Sequence, residues 1–278
     1  MCRVAGGAQG DQSRGNLSLL VTKPPADEDP TLSELDVWPH GCEAAVSLTF
    51  DDGASSQLSE AVPRLDDAGL CGTFYLNPHR GHWDAQADQW RAVGLAGHEL
   101  GNHTTRHPCS CNYHFDAEFC LEKISLQDMA ETIDAAQIAL DELHPEGRDG
   151  RSFCYPCYQT FVGAGATRHS YVPVVAERFR AARSGGERPN DPRITDLHCL
   201  MSYAAEGAQA EDLIAYAEQA ADDGGWAIFT FHGVGGDHLC VDAEAFGALT
   251  RYLSGQRHRL WTATLIEVAD RVHARRRA

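Results

Sequence analysis

The sequence has no apolar run long enough to cross a bilayer, which takes about 20 residues in a helix. Its first residues also lack the apolar core of an export signal. No internal repeat and no low-complexity tract interrupt the chain. These absences exclude a membrane-spanning protein and a repeat architecture. We therefore expect no membrane insertion and a cytoplasmic protein, or a secreted one if the start of the sequence is misassigned.

Positive charge is scarce. The 278 residues include 23 Lys and Arg against 40 Asp and Glu, which gives a formal net charge of −17. This balance argues against nucleic acid or an anionic membrane as the main partner. The ten cysteines are too sparse for a disulfide scaffold, so we expect reduced thiols. The oligomeric state does not follow from the sequence.

Short apolar runs alternate with helical patterns along the chain. This order predicts a parallel sheet with helices outside it, in a single α/β domain spanning residues 41–274. A polar N-terminal arm, 1–40, precedes the domain, and a basic tail, 275–278, follows it. The predicted strands are 45–50, 72–76, 99–102, 152–155, 226–231 and 259–264. The predicted helices are 55–67, 86–93, 126–143, 172–179, 210–221, 243–253 and 265–273.

Charged or metal-binding side chains follow three of these strands. Asp51 and Asp52 come directly after the first strand, and two contacting carboxylates favour a cation between them. His103 and His232 follow two other strands. Because ligands bind at the carboxyl ends of parallel strands, the sequence predicts one site that combines these residues.

His103 and His107 are four residues apart. On one helical turn, this spacing places both imidazoles on the same face. Two histidines and one carboxylate suit zinc and leave coordination positions open. Because the chain has 14 histidines, however, the pair by itself also fits two unrelated surface residues.

Three segments resemble the signatures of a known family. Thr-Phe-Asp-Asp-Gly at 49–53, His-Thr-Thr-Arg-His-Pro at 103–108 and Phe-Thr-Phe-His at 229–232 resemble, in the same order, signatures of the polysaccharide deacetylases. This group is also known as the NodB-homology domain or carbohydrate esterase family 4. The resemblance spans 46–266, which is most of the chain.

The resemblance implies an irregular (β/α) barrel and a metal-dependent deacetylase, a hydrolase of carbon–nitrogen bonds other than peptide bonds. The substrate would be an acetylated amino sugar, oligosaccharide or polysaccharide. Asp52, His103 and His107 would bind one divalent ion, zinc or else cobalt or another metal. Asp51 would act as the general base and His232 as the general acid.

The third signature departs from the family pattern. The matching stretch is Cys154-Tyr155-Pro156-Cys157, with Cys154 where the family has an arginine that holds the base. The resemblance therefore leaves the environment of Asp51 undefined. The Cys157 amide would remain an oxyanion donor, with Tyr155 and Pro156 beside it.

Three further residues are candidates for supporting the site. Asp196 and His198 lie where the fourth signature is expected, although its tryptophan is absent. His238 lies in a glycine-rich loop that follows His232.

Other functions remain open at this point. The same groups could hydrolyse an O-acetyl ester of a sugar or a small non-sugar amide, and a catalytically silent carbohydrate-binding barrel is another class. The Cys-x-x-Cys spacing of Cys154 and Cys157 also occurs in redox proteins, but a poor helix follows it here. Cys109 and Cys111, near His107, could join this pair in a second metal site or thiol cluster, although small buried residues are the simpler interpretation.

Overall fold

Strands and helices alternate along the chain as the sequence predicts, apart from four short strands at 161–162, 169–170, 182–183 and 203–204 that were not predicted. The computed structural model describes residues 37–147 and 150–277. The strands are β1 (Ala44–Asp51), β2 (Thr73–Leu76), β3 (Glu99–Asn102), β4 (Phe153–Cys154), β5 (Phe161–Val162), β6 (His169–Ser170), β7 (Ala182–Arg183), β8 (Tyr203–Ala204), β9 (Trp226–Phe231) and β10 (Leu260–Thr262). The helices are α1 (Val62–Ala68), α2 (Trp83–Leu95), α3 (Leu126–Leu143), α4 (Val172–Ala176), α5 (Ala210–Asp223), α6 (Ala243–Gly255) and α7 (Leu265–Arg275).

The main sheet is parallel, with the strand order β7-β4-β3-β2-β1-β9-β8. β1 changes partners along its length, because Ala44–Val46 pairs with β10 and Thr49–Asp51 pairs with β2. β5 and β6 form a separate antiparallel pair. The curled parallel sheet and its helices form the irregular (β/α) barrel that the sequence predicts. Its parallel strands bring the carboxyl ends of β1, β3 and β9 to the same edge.

β1 is the central strand and is buried over its whole length. Phe50, near its end, stacks on Phe74 of β2 and Phe231 of β9, and it meets Phe246 of α6 edge-on. A strand covered on both faces needs a continuous apolar sequence, which explains the run that precedes Asp51. The aromatic cluster therefore fixes the point at which the chain leaves the sheet with two carboxylates.

Local signals set the helix ends. Ser125 and Asp128 form a capping box at the start of α3: the Asp128 amide donates to Ser125 Oγ, and the Ser125 amide donates to Asp128 Oδ2. Gly69 ends α1 in the left-handed conformation that favours glycine, at φ 63°.

The predicted N-terminal arm lies outside the described residues except for 37–40. Within that stretch, Trp38 is buried and its indole Nε1 donates to the Gly224 carbonyl. At the other end, Arg275 belongs to α7, and Arg276 donates to the carbonyls of Pro192 and Thr195. The described part of the predicted basic tail is thus attached to the barrel.

The described residues contain no helix of the length and apolarity that a membrane span requires.

Glu99 is a buried carboxylate that joins four segments near the start of β3. It accepts hydrogen bonds from Thr73 Oγ1 (2.9 Å), the Ser152 amide and hydroxyl (2.7 and 2.5 Å) and the Ile266 amide (3.0 Å). Glu99→Gln replaces one acceptor oxygen with a donor. We expect this to lower the free energy of unfolding by about 1–3 kcal/mol in urea titrations. The same change at exposed Glu142 serves as the control, and equal effects at both positions would contradict this role.

Candidate active site

The structure brings five predicted side chains to one cavity at the carboxyl edge of the sheet. Each comes from the end of a strand or the loop that follows it: β1, β3 and β9. The cavity has a volume of about 350 Å³. The five residues are Asp51, Asp52, His103, His107 and His232.

Asp52, His103 and His107 form a group with metal-ligand geometry. Asp52 Oδ1 lies 3.6 Å from His103 Nε2 and 3.3 Å from His107 Nε2. One potential ligand atom of each residue lies within 4.8 Å of the other two. Two imidazole nitrogens and one carboxylate oxygen therefore fit a zinc-type divalent ion.

The His103 ring is fixed by a hydrogen bond on its far side. Its Nδ1 lies 2.9 Å from the Cys154 carbonyl, which can only accept, so Nδ1 carries the proton. The other ring nitrogen, Nε2, faces Asp52. A backbone acceptor of this kind commonly orients a metal-binding histidine.

His107 reaches the site from a loop, so the predicted helical turn is wrong. Thr104 and His107 both have left-handed backbone conformations, with φ of 62° and 47°. The His107 amide donates to Thr104 Oγ1, and Asn77 donates to the carbonyls of His103 and Thr104. Burial and the neighbouring His103 lower the pKa of His107 to about 4, so its ring is neutral near pH 7 and can act as a ligand.

Asp51 is paired with an arginine that the sequence analysis missed. Arg183 of β7 is fully buried, and its Nη2 contacts both carboxylate oxygens of Asp51. Cys154 lies beside the pair, with Sγ 2.6 Å from Arg183 Nη2 and 3.5 Å from Asp51 Oδ2. Arg183 therefore defines the environment of Asp51 that the resemblance left open, with a guanidinium that comes from a strand other than the third signature.

Arg183 also determines the charge state of Asp51. Burial by itself raises the pKa of the carboxyl group, but the Arg183 guanidinium and the nearby imidazoles outweigh burial and lower it. Arg183 is in turn held by Thr230 Oγ1 at 2.5 Å and Ser202 Oγ at 3.2 Å. The sequence gives little advance signal, because the segment 179–183 contains two arginines, Arg180 and Arg183, and no pattern singles out Arg183.

Two further histidines complete the wall of the cavity. His232 Nε2 lies 4.0 Å from Asp51 Oδ2 and 3.9 Å from Asp52 Oδ2. Burial lowers its pKa, although both aspartates oppose this. His238 hydrogen-bonds Asp52 Oδ2 through Nε2 at 2.9 Å, which raises the pKa of His238. The structure thus brings His238 into the site.

Gln57, also missed by the sequence analysis, connects the two strand ends. Its Nε2 donates to the backbone carbonyls of Asp51, at 2.6 Å, and His232, at 3.0 Å. It lies in a π-helical turn, Gln57–Ala61, ahead of α1.

The third-signature residues divide between the cavity and the core. Cys157 lines the cavity, and none of the backbone hydrogen bonds among the described residues uses its amide. Pro156 is buried, and Tyr155 is buried with its hydroxyl donating to the His198 carbonyl. The Tyr155 side chain therefore serves the core and not the cavity.

Asp196 and His198 do not reach the cavity. His198 Nε2 donates to the Phe179 carbonyl, and Asp196 Oδ1 accepts from the His198 amide. The carbonyl of Leu197, which lies between them in sequence, accepts a hydrogen bond from the Ala182 amide at the start of β7. The site lies at the other end of this strand. Asp196 and His198 lie in sequence where the fourth signature is expected, but this did not predict where they lie in the structure.

Two disulfides replace the reduced thiols that we expected. Cys109 is bonded to Cys157, and Cys111 is bonded to Cys120. Cys154 is a free, buried cysteine, so Cys154 and Cys157 are not a dithiol pair. The disulfides also argue against the alternative of a second metal site or thiol cluster, over which we preferred small buried residues. The first disulfide borders the site, because Cys109 Sγ lies 3.5 Å from His107 Nδ1.

Comparisons with known proteins agree with this fold. Residues 40–160 match the sequence model of the polysaccharide deacetylase family. A protein of Pseudomonas aeruginosa PAO1 assigned as a polysaccharide deacetylase aligns with a TM-score of 0.58 at 14% identity, over 85% of this chain and 93% of that one. A protein of Mycobacterium smegmatis, also assigned as a polysaccharide deacetylase, aligns with a TM-score of 0.54 at 19% identity, over 85% of this chain and 92% of that one. A family 4 acetyl xylan esterase of Clostridium thermocellum, in complex with a cobalt ion, aligns with a TM-score of 0.52 at 19% identity, over 81% of this chain and 89% of that one. The curated proteins contained no match.

The Cys109–Cys157 disulfide ties the His107 loop to the Cys157 turn, so its loss should loosen a candidate metal ligand. We expect Cys109→Ser/Cys157→Ser to bind Co²⁺ about tenfold more weakly, as is typical when groups around metal ligands are removed. Absorption titration measures the affinity. Cys111→Ser/Cys120→Ser, which removes the disulfide that does not contact His107, is the control. Equal affinity in both double variants would contradict the coupling.

The Asp51–Arg183 pair should behave as a buried ion pair. Arg183→Met leaves the Asp51 charge unpaired and should cost about 3–5 kcal/mol in the free energy of unfolding. The double variant Arg183→Met/Asp51→Asn should lose less unfolding free energy than the two single variants lose in sum. Urea unfolding of the wild type, the two single variants and the double variant measures this difference. Arg178→Met breaks a half-exposed pair with Asp134 and should cost at most about 1 kcal/mol. Simple additivity at Asp51 and Arg183 would refute the coupling.

Proposed function

We propose that this protein is a divalent-metal-dependent hydrolase that removes N-linked acetyl groups from amino-sugar residues. The match of residues 40–160 to the polysaccharide deacetylase family supports this proposal. The observation that carries the proposal is the arrangement at the strand ends. Three candidate ligands lie beside a separate carboxylate, Asp51, which has its own buried arginine. A site built for structure alone would not need two aspartates with different partners.

Asp52, His103 and His107 would hold the metal, with zinc as our first choice and cobalt as an alternative. A divalent ion there would lower the pKa of its water and polarise the acetyl carbonyl. The orientation of His103 and the neutral state of His107 support this assignment.

Asp51 is the general base in this proposal. Arg183 keeps its carboxylate ionised and oriented, so that it can accept the proton of the attacking water. Arg183 also supplies the guanidinium whose absence from the third signature would slightly favour a catalytically silent barrel.

His232 is the proposed general acid. The amine that leaves from an amide is too basic to depart as an anion, so it needs a proton at its nitrogen. His232 Nε2, near both aspartates, lies across the cavity in a position to donate it. The Cys157 amide supplies a donor for the negative charge that develops on the carbonyl oxygen.

The two disulfides also bear on the compartment. Disulfides persist in oxidising surroundings and are rare in the cytosol. We therefore propose an oxidising compartment in place of the cytoplasm that the sequence analysis favoured. An acetylated polymer outside the cell would then be accessible to the enzyme.

Two variants separate metal binding from catalysis. His103→Ala should lose most of its bound metal, because it removes a ligand, whereas Asp51→Asn should keep about one ion per chain and lose roughly 10²–10⁴ in kcat. Metal analysis and acetate release are measured on the same samples. His258→Ala and Asp222→Asn, both exposed, are the matched controls.

An Asp51→Asn protein that carries metal and turns over at the wild-type rate would overturn the assignment of the base. Acetylated xylan fragments and small amides are assayed beside N-acetylated oligosaccharides. Activity confined to xylan fragments would identify an O-acetyl esterase, and activity confined to small amides would identify an amidase.

A further inference from the structure

The two ring nitrogens of His107 face two different groups of candidate metal ligands. His107 Nε2 lies 3.3 Å from Asp52 Oδ1, whereas His107 Nδ1 lies 3.5 Å from Cys109 Sγ. One potential ligand atom each of His107, Cys109 and Cys157 lies within 4.8 Å of the other two. We call these three residues the sulfur group, and we call Asp52, His103 and His107 the carboxylate group. His107 is common to both groups.

The sulfur group has the donor set of a zinc site only when its cysteines are reduced. Two cysteine thiolates and one imidazole bind zinc in other proteins and leave one coordination position open. The thiolate is the form of cysteine that binds metals, and Cys109 and Cys157 are joined in a disulfide here. Reduction would supply two anionic sulfur ligands, whereas the carboxylate group has one anionic ligand, Asp52. Soft sulfur ligands favour zinc strongly over harder ions.

The Cys109–Cys157 disulfide is accessible to a small dithiol from one side. Cys109 is buried, but Cys157 is half-buried and lines the cavity that contains Asp51 and His232. A thiolate of the dithiol attacks Cys157 Sγ, the disulfide bond breaks, and Cys109 leaves as a thiolate. The second thiol of the dithiol then displaces Cys157 from the mixed disulfide. Two electrons thereby pass to the two cysteines, and the dithiol becomes a cyclic disulfide.

The turn that carries Cys157 can adjust after reduction. Two sulfurs bound to one tetrahedral ion lie further apart than in a disulfide, so one of them has to move. Cys157 and Tyr158 both have left-handed backbone conformations, with φ of 51° and 58°, which residues other than glycine rarely adopt. They belong to the short turn Pro156–Tyr158 between β4 and β5. A change of conformation in this turn leaves the pairing of the sheet intact.

His107 can serve only one of the two groups at a time. A neutral imidazole has a lone pair on one ring nitrogen and a proton on the other. His107 therefore binds an ion either through Nε2, together with Asp52 and His103, or through Nδ1, together with the two cysteines. The state of the disulfide decides which group has the larger number of anionic ligands.

We propose that reduction of the Cys109–Cys157 disulfide creates a second divalent-metal site, formed by both thiolates and His107 Nδ1, and that one ion moves there from the carboxylate group. The two thiols release their protons to solvent as they bind the ion. The carboxylate group regains the ion when the disulfide forms again. This redox-dependent site does not depend on which bond, if any, the protein hydrolyses.

The first test uses His103→Ala, which weakens the carboxylate group and leaves the sulfur group intact. The protein is reduced with a dithiol under argon, freed of the dithiol by gel filtration and titrated with Co²⁺. The oxidised variant should bind little cobalt. The reduced variant should bind about one ion per chain, with thiolate-to-cobalt charge-transfer absorption.

Two further changes in the His103→Ala background assign the site. Cys109→Ser/Cys157→Ser should abolish the gain of cobalt on reduction. Cys111→Ser/Cys120→Ser, which removes the other disulfide, is the matched control and should keep the gain. No gain on reduction, or a gain that persists without Cys109 and Cys157, would overturn the second site.

The wild type tests whether the ion moves. It should bind about one Co²⁺ per chain in both states and gain thiolate absorption only after reduction. Acetate release should fall at least about tenfold on reduction and return on oxidation. Two ions per chain, or undiminished acetate release beside the absorption, would overturn the transfer. If no substrate releases acetate in either state, the proposed function is wrong, and the cobalt stoichiometry and absorption still decide on the second site.

Discussion

The buried contact between Asp51 and Arg183 is the interaction on which the rest of the site depends. Two adjacent carboxylates at a strand end repel each other, and burial raises the energy of both charges. Arg183 offsets one of those charges from inside the barrel, which leaves Asp52 free to face His103 and His107. The ion pair therefore separates the two aspartates chemically: Asp51 is held as an ionised carboxylate, and Asp52 is available as a ligand.

The two carboxylate oxygens of Asp52 also have different partners. Oδ1 faces the two histidines of the ligand group, while Oδ2 accepts from His238. A carboxylate held on one oxygen by a hydrogen bond can present the other in a fixed direction, as carboxylate ligands of metals commonly do. Gln57 provides a comparable constraint on the backbone, because it holds the carbonyls at the ends of β1 and β9 together.

The sequence predicted the parts of this site that follow from local pattern. β1 and β9 are apolar segments and β3 is a short predicted strand, and each is followed by a polar side chain, so Asp51, His103 and His232 could be placed at one edge of a parallel sheet. Arg183 could not be found in this way, since β7 has two residues and its partner is 132 positions away. Disulfide partners are likewise undetermined by spacing, and the four-residue interval between His103 and His107 fits a helix and a capped loop equally well.

The disulfides connect this site chemistry to the loop that follows His107. Cys109 contacts the candidate ligand His107, and its partner Cys157 carries the proposed oxyanion donor. The same loop continues to Tyr113 and Phe115, which also line the cavity. A displacement at the Cys109 end of this loop would therefore move His107 and Cys157 together. Covalent closure at two points is a physical means of preventing such displacement in a segment with little regular secondary structure, and it accounts for the concentration of disulfides in this part of the described chain.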